Sequence, residues 1–200
     1  LAGGSTDAAA VLLGINQLYG LAVPLLELKA LGLALGSDVP YCMAGAPLVE
    51  KAPGIMAPAG VTCLARGRGE ILSVMLPVNF ERVLIVKPDF SLSTAEVYGG
   101  YRAEQVDSRP DVAAFMEAWN REDLYAIAAN LGNVLESVSI RKRPEIGAIK
   151  AQLIGLGALN AVMSGSGPSV FGLFDDEEKS GYAFKKLKEK YQQTYLVSSY

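Results

Sequence analysis

Hydrophobic positions run almost unbroken through the first third of the chain. Ala8 to Tyr19 reads AAAVLLGINQLY, rich in alanine and leucine and free of proline, which predicts a helix from Thr6 to Tyr19 with Ser5 or Thr6 as its cap. Pro24, at the first turn of LLELKALGLAL, predicts a second helix that Gly36 stops. The apolar stretch from Ala8 to Leu35 is long enough to resemble a membrane span. Asn16, Gln17, Pro24, Glu27 and Lys29 interrupt it, so two packed helices are expected instead. Ala46 to Val61, with three prolines and two glycines among small residues, reads as a loop. Gly67 to Glu70 (GRGE) reads as a turn before a strand from Ile71 to Leu76.

A second pattern begins near Glu81. Arg82 to Val86 (RVLIV) is a buried strand closed by Lys87 and Pro88. Helical patterns follow from Thr94 to Tyr101 and from Val112 to Val138, with a break near Asn120. Pro144 opens a helix with Ile146, Ile149 and Leu153 on one face. A strand from Asn160 to Met163, a tight SGSGP connection and a strand from Ser169 to Phe174 come next. An amphipathic helix from Asp176 to Tyr191 and a strand from Thr194 to Ser199 complete the order. This is β-α-β-β-α-β with helices inserted after the first strand, the split βαβ pattern of an α+β, ferredoxin-like domain. It predicts a four-stranded antiparallel sheet with helices packed on one face. The expected boundary lies between 1–80 and 81–200. No internal repeat or low-complexity tract is visible.

Composition narrows the classes. Half of the 200 residues are hydrophobic, 8% aromatic and 20% charged, which is globular rather than disordered. A net charge of −3 gives no strong field toward nucleic acid or anionic membrane, and neither is expected as a partner. The absence of histidine excludes Ser-His-Asp and Cys-His centres and His-ligated metal within these residues. Cys42 and Cys63 lack CxxC spacing and read as free buried thiols of a reducing, cytoplasmic compartment, a single disulfide being the alternative. The chain begins at Leu1 with no methionine and no basic n-region, so no signal peptide is visible, and LAGGST reads as the middle of a motif with sequence expected before it.

Three glycine-bearing segments can carry chemistry. Gly3-Gly4-Ser5-Thr6-Asp7 runs into a helix, where free N–H groups and the helix dipole suit a phosphate, and Ser5 and Thr6 add hydroxyls for a phosphate or a Mg2+ ligand. The alternative is a plain glycine turn with a Ser/Thr cap. The lysine of a P-loop is absent. In Leu35-Gly36-Ser37-Asp38-Val39-Pro40, Asp38 can act as a base toward a substrate hydroxyl, or simply occupy a turn. Ser164 to Gly167, between two strands, reads as a backbone nest or a hairpin. Lesser candidates have ordinary readings. Arg66 and Arg68 can be solvated, Asn133 and Glu136 can be surface residues of a helix, and Tyr98 and Tyr101 can be core aromatics. The lysines between 185 and 190 form a solvated helix face, because Asp175 to Glu178 precede them.

GGSTDAAA, then LGSDVP, then MSGSGPSVFGLF, in that order, resemble the motifs of the GHMP kinase superfamily, and the resemblance covers nearly the whole chain. LLGINQLYG, GRGE, KPDFSLSTAEVY and NVLESVSIRKRPEI extend it toward the kinases of non-mevalonate isoprenoid precursor synthesis. It implies an N-terminal domain like the second domain of ribosomal protein S5, joined to a ferredoxin-like C-terminal domain. It implies that Leu1, Ala2, Gly3, Gly4, Ser5 and Thr6 wrap the phosphates of ATP, with support from Ser164, Gly165, Ser166 and Gly167. Asp38 would be the catalytic base, Mg2+ would offset charge, and no protein metal ligand is implied. In the STAEVY segment Thr94 and Tyr98 would bind the acceptor, Tyr98 by stacking on a cytosine. The acceptor would be a small cytidine diphosphate methylerythritol, phosphorylated on its 2-hydroxyl by a monomer or homodimer. The alternatives are a homoserine- or mevalonate-type kinase, or a GHMP-fold binding protein without catalysis. The family's first motif, which supplies a lysine, has no counterpart in these residues, so the 200 residues alone are expected to be inactive. The stretch from Ala46 to Gly60 is longer than the resemblance predicts.

Overall fold

The computed structural model describes residues 2–44, 61–106 and 108–199. Leu1 and the proline-rich loop expected over 46–60 lie outside the described residues. The chain divides into two compact units, Leu1–Pro77 and Val78–Tyr200.

In the first unit, α1 (Gly3–Leu18) begins three residues earlier than the apolar pattern predicts. Neither Ser5 nor Thr6 caps it. Ala2, in the left-handed region at φ 50°, takes the cap position without a side-chain hydrogen bond. The Thr6 amide and hydroxyl both donate to the Ala2 carbonyl, at 2.9 and 3.0 Å, which commits Thr6 to the first turn. α2 (Leu25–Leu35) starts after Pro24, and the Gly36 amide closes it on the Gly32 carbonyl at 3.0 Å. Asn16 turns the chain between them: its amide donates to the Val23 carbonyl at 3.1 Å and accepts from the Val23 N–H at 3.0 Å. A polar residue inside an apolar run is thereby the residue that folds the run back on itself. A short helix, α3 (Val39–Ala44), was not legible as a periodic segment. It approaches α2 so closely that a methyl group on Gly32 would lie 2.8 Å from Val39 Cγ1. Ala9, Leu28, Val39 and Met43 form the core of the three helices, with Leu12 and Leu13 packed against it. β1 (Thr62–Arg66) and β2 (Ile71–Met75) pair as an antiparallel hairpin around the GRGE turn.

The second unit holds β3 (Val83–Lys87), β4 (Asn160–Met163), β5 (Val170–Leu173) and β6 (Gln193–Val197) in one sheet of order β4-β5-β3-β6, every neighbouring pair antiparallel. That is the split βαβ topology, and the first and last strands lie side by side. The helices are α4 (Thr94–Gly100), α5 (Val112–Asn120), α6 (Leu124–Ala129), α7 (Glu136–Lys142), α8 (Glu145–Gly155) and α9 (Glu177–Lys190). The helical pattern over Val112–Val138 resolves into α5, α6 and the start of α7. Asp111 and Asp123 each accept a capping hydrogen bond, from the Ala114 and Ala126 amides at 2.9 and 3.0 Å.

The expectation of helices on one face needs correction. Leu84, Val86, Met163 and Val170 are buried in one cluster with Ile146, Ile149 and Leu153 of α8 and Ala183 and Leu187 of α9. The alternate residues Val83, Phe171 and Leu173 belong to a second cluster, with Phe115, Ala118 and Trp119 of α5 and Ile127 and Ala128 of α6. Successive strand residues point to opposite faces, so the inserted helices cover the second one. The unbroken apolar run RVLIV already carried this signal, because a strand with one solvated face alternates.

Tyr125 of α6 donates its hydroxyl to Asp175, after β5, at 2.6 Å. This hydrogen bond holds the Asp175 carboxyl below its ordinary range. A carboxyl depressed on folding stabilises above its unfolded pKa and loses that contribution as pH falls through the folded value. Tyr125→Phe is therefore expected to move the Asp175 titration toward the ordinary carboxylate range, read by NMR. Its stability deficit relative to the parent should vanish below that range. A deficit that persists at acid pH would mean the hydroxyl acts by something other than this bond.

Candidate functional site

The first glycine segment and the Asp38 segment share one end of the first unit. Gly3, Gly4 and Ser5 occupy the first turn of α1, where the N–H groups have no intrahelical acceptor. Gly3 and Gly4 are exposed, and a methyl group on either would meet nothing within 4 Å, so their backbone is open to close approach. No acidic residue lies in that first turn to repel an anion. Thr6 Oγ1 lies 3.7 Å from Cys42 Sγ of α3, and a methyl group on Gly36 would come within 3.9 Å of Ser5 Oγ. The α1 N-terminus is thus set beside the turn that carries Asp38.

Asp38 is exposed at the start of α3. Its carbonyl accepts from the Cys42 amide at 3.0 Å, and its carboxylate accepts from Ser37 Oγ at 3.3 Å. The GRGE turn also approaches this segment. Gly69, at φ +117°, sits where a methyl group would be 2.2 Å from the Ser37 carbonyl oxygen. Glu70 accepts from the Arg68 amide at 2.7 Å, and Arg66 donates to Ser73 at 3.2 Å. Burial raises the Tyr41 hydroxyl above its ordinary pKa, with Cys63 and Cys42 adding to the effect, and it donates to the Val61 carbonyl at 2.9 Å. Both cysteines are free, but they are half-buried rather than buried as expected, because each lies at the margin of its element's packing.

The third segment lies in the second unit. Gly165 (φ +56°) and Gly167 (φ +85°) both adopt left-handed conformations, and a methyl group on Gly167 would be 2.6 Å from Met163 Sδ. Ser164 N–H donates to the Ser169 carbonyl at 2.8 Å, and Gly167 N–H to the Ser164 carbonyl at 3.0 Å. Thr94 begins α4, and its hydroxyl lies 3.0 Å from the Ser166 hydroxyl, which brings an acceptor candidate against a nucleotide candidate. Ser93 caps this helix by accepting from the Glu96 amide at 3.3 Å. Tyr98 and Tyr101 part company: Tyr98 is 59% exposed, while Tyr101 packs against the core. Asn133 and Glu136, which read as surface positions in the sequence, lie against this region: Asn133 bonds Gly165 of the third segment and Met163 just before it, and Glu136 bonds Met163. Their spacing of three, ending at the start of α7, was the available signal.

Among the described residues no group of three acidic or cysteine side chains is placed to hold a metal ion, and no helix is long and apolar enough to cross a membrane. A cleft of about 590 Å³ on α1 is lined by Val11, Gly14, Ile15, Gln17 and Leu18, which offer no titratable side chain.

Residues 112–193 match the family model described as GHMP kinases C terminal. Over all 200 residues the chain is 53% identical to a 4-diphosphocytidyl-2-C-methyl-D-erythritol kinase of Syntrophomonas wolfei subsp. wolfei, of which it spans 65%. A crystal structure of 4-(cytidine 5'-diphospho)-2C-methyl-D-erythritol kinase superposes with a TM-score of 0.72 at 28% identity, over 99% of this chain and 65% of that one. A homoserine kinase from Cytophaga hutchinsonii shares the fold with a TM-score of 0.67 at 19% identity, over 100% of this chain and 65% of that one. The chain spans about two thirds of the length of these relatives. In fold, in its C-terminal match and in sequence, the chain is similar to GHMP kinases.

Proposed function

We propose that the complete gene product is a cytoplasmic phosphotransferase that moves the γ-phosphoryl group of ATP to the 2-hydroxyl of 4-diphosphocytidyl-2-C-methyl-D-erythritol, a step in isoprenoid precursor synthesis. One observation carries this reading: the open glycine turn of α1 and the Asp38 turn lie together in one unit, an anion cradle beside a carboxylate. The match to kinases of that name supports the choice of acceptor. Leu1 to Thr6 would hold the phosphates, and Ser164 to Gly167 would support the nucleotide. Thr94 and Tyr98 would bind the acceptor, the exposed Tyr98 ring offering a face for the cytosine.

The open amides of Gly3 to Ser5 and the Ser5 hydroxyl, at a helix N-terminus, suit a triphosphate. Mg2+ fits as an ion carried by the nucleotide, with the Ser5 hydroxyl available to it, and when bound it would offset phosphate charge. Asp38 takes the proton of the 2-hydroxyl as its oxygen bonds to the γ-phosphorus, the bond to the bridging oxygen breaks, and ADP leaves. The reading includes a monomer or homodimer, with neither nucleic acid nor membrane as partner.

An ADP-release assay on the complete gene product tests it, with 4-diphosphocytidyl-2-C-methyl-D-erythritol, homoserine and mevalonate offered separately. Turnover with the first alone is expected. Turnover with either of the others but not the first would overturn the assignment, and binding of nucleotide without any turnover would point to a non-catalytic GHMP-fold protein.

A further inference from the structure

The backbone around the third glycine segment is gripped by a row of side chains spaced three apart. Asn133 Nδ2 donates to the carbonyls of Met163 and Gly165, each at 2.7 Å, while its Oδ1 accepts from the Leu135 amide at 3.0 Å. Glu136 Oε1 accepts from the Met163 amide at 2.7 Å, and Oε2 is paired with Lys150 of α8. Ser139, fully buried, donates to the Ser166 carbonyl at 3.1 Å. β4 is an edge strand of the sheet, so among the described residues the outward backbone of Met163 has no strand beside it. Asn133 and Glu136 take that place, and Asn133 and Ser139 continue onto the loop itself.

An edge cap alone would need contact only with Met163. The second Asn133 bond, to Gly165, and the Ser139 bond, to Ser166, fall inside the loop, where both glycines hold left-handed conformations. The Glu136–Lys150 pair is partly buried, with side chains 15% and 22% exposed, so the carboxylate is fixed and not a solvated charge.

We infer that Asn133, with Glu136 holding Met163 where the loop begins, is a positioning residue that sets the backbone of Ser164 to Gly167 for the nucleotide, and so controls nucleotide affinity without touching it. This rests on the proposed role of that loop. Asn133→Asp is the sharpest variant. Aspartate keeps the size and the acceptor for Leu135, but turns a carboxylate oxygen toward two carbonyl oxygens where the amide donated.

In the complete gene product, the KM for ATP is expected to rise about tenfold or more, the loss of one to two hydrogen bonds made to the loop. The KM for the acceptor should stay unchanged. Glu136→Gln, which can still accept from Met163, should keep the parent KM for ATP, whereas Glu136→Ala should not. Hydrogen exchange at Gly165 to Gly167 should accelerate in Asn133→Asp, with α8, α9 and β5 unchanged. An unaltered KM for ATP, or a proportional loss in every kinetic constant with a lower melting temperature, would make the row a scaffold and overturn the inference. Should Asn133→Asp not fold, the Glu136 pair of variants decides by the same constants. Should the parent protein not use ATP, the proposed function falls, and unchanged loop exchange in Asn133→Asp would then overturn the positioning role separately.

Discussion

Asp38→Asn, introduced into the complete gene product, is expected to lower kcat by about 10²–10⁴-fold while leaving the KM for ATP nearly unchanged. A tertiary alcohol is a weak nucleophile, and its proton must be accepted as the phosphoryl group arrives. The Asp38 carboxylate, beside the open glycine turn of α1, is placed to accept it in the proposed reaction. The geometry makes the substitution clean. Asp38 is exposed, and its carboxylate takes a hydrogen bond from Ser37 Oγ that an asparagine carbonyl oxygen can also accept. The α3 hydrogen bond at Asp38 uses the main-chain carbonyl, which the change leaves in place. Loss of basicity is therefore separated from loss of shape. A turn-forming role predicts the opposite pattern: turnover close to the parent, with at most a slightly lower melting temperature. Steady-state kinetics with both substrates varied, together with thermal unfolding, distinguishes the two. Near-normal kcat would end the role of Asp38 as base.

Strand and helix order in the second unit was legible because each element is either strongly periodic or bounded by proline, glycine or aspartate. Ile146, Ile149 and Leu153 mark α8, and Asp176 caps α9 by accepting from Lys179 at 2.8 Å. What was not legible depended on contacts distant in sequence. α3 spans six residues, less than two turns, and is fixed by burying Val39 and Met43 against α2 rather than by its own pattern. β1 follows a proline-rich tract and gains its identity only by pairing with β2. The α1 start escaped because Gly3 and Gly4 have low intrinsic helix propensity, and the left-handed Ala2 that precedes them has no compositional signature. For the site, the residue types were visible but not their company. Nothing local distinguishes an Asn133 that bonds two loop carbonyls from a solvated one, and the Thr94–Ser166 contact joins segments 72 residues apart.

The GRGE turn supplies the second large effect, through Gly69. Its φ of +117° is a conformation that side chains rarely adopt, and an added methyl group would stand 2.2 Å from the Ser37 carbonyl oxygen and 3.0 Å from its carbon. The obstacle is backbone, not the mobile end of a side chain, so an ordinary van der Waals contact requires the Ser37–Asp38 turn to retreat by about 1 Å. Gly69→Ala is accordingly expected to lose about 1–3 kcal/mol from backbone strain alone. Its kcat should fall by about 10²-fold, because a displacement of that size moves the carboxylate off the acceptor hydroxyl. Gly67 provides the comparison. It too is left-handed, at φ +70°, but its added methyl group meets the Glu70 carboxylate at 2.5 Å, and that side chain can swing into solvent. Gly67→Ala should cost about 1–2 kcal/mol of stability, the usual penalty for a left-handed residue with a Cβ, and leave kcat close to the parent. Urea unfolding and steady-state kinetics on the two variants separate a general weakening of the hairpin from a specific push on Asp38. Equal losses of kcat in both would mean that the hairpin tip does not set the position of the base.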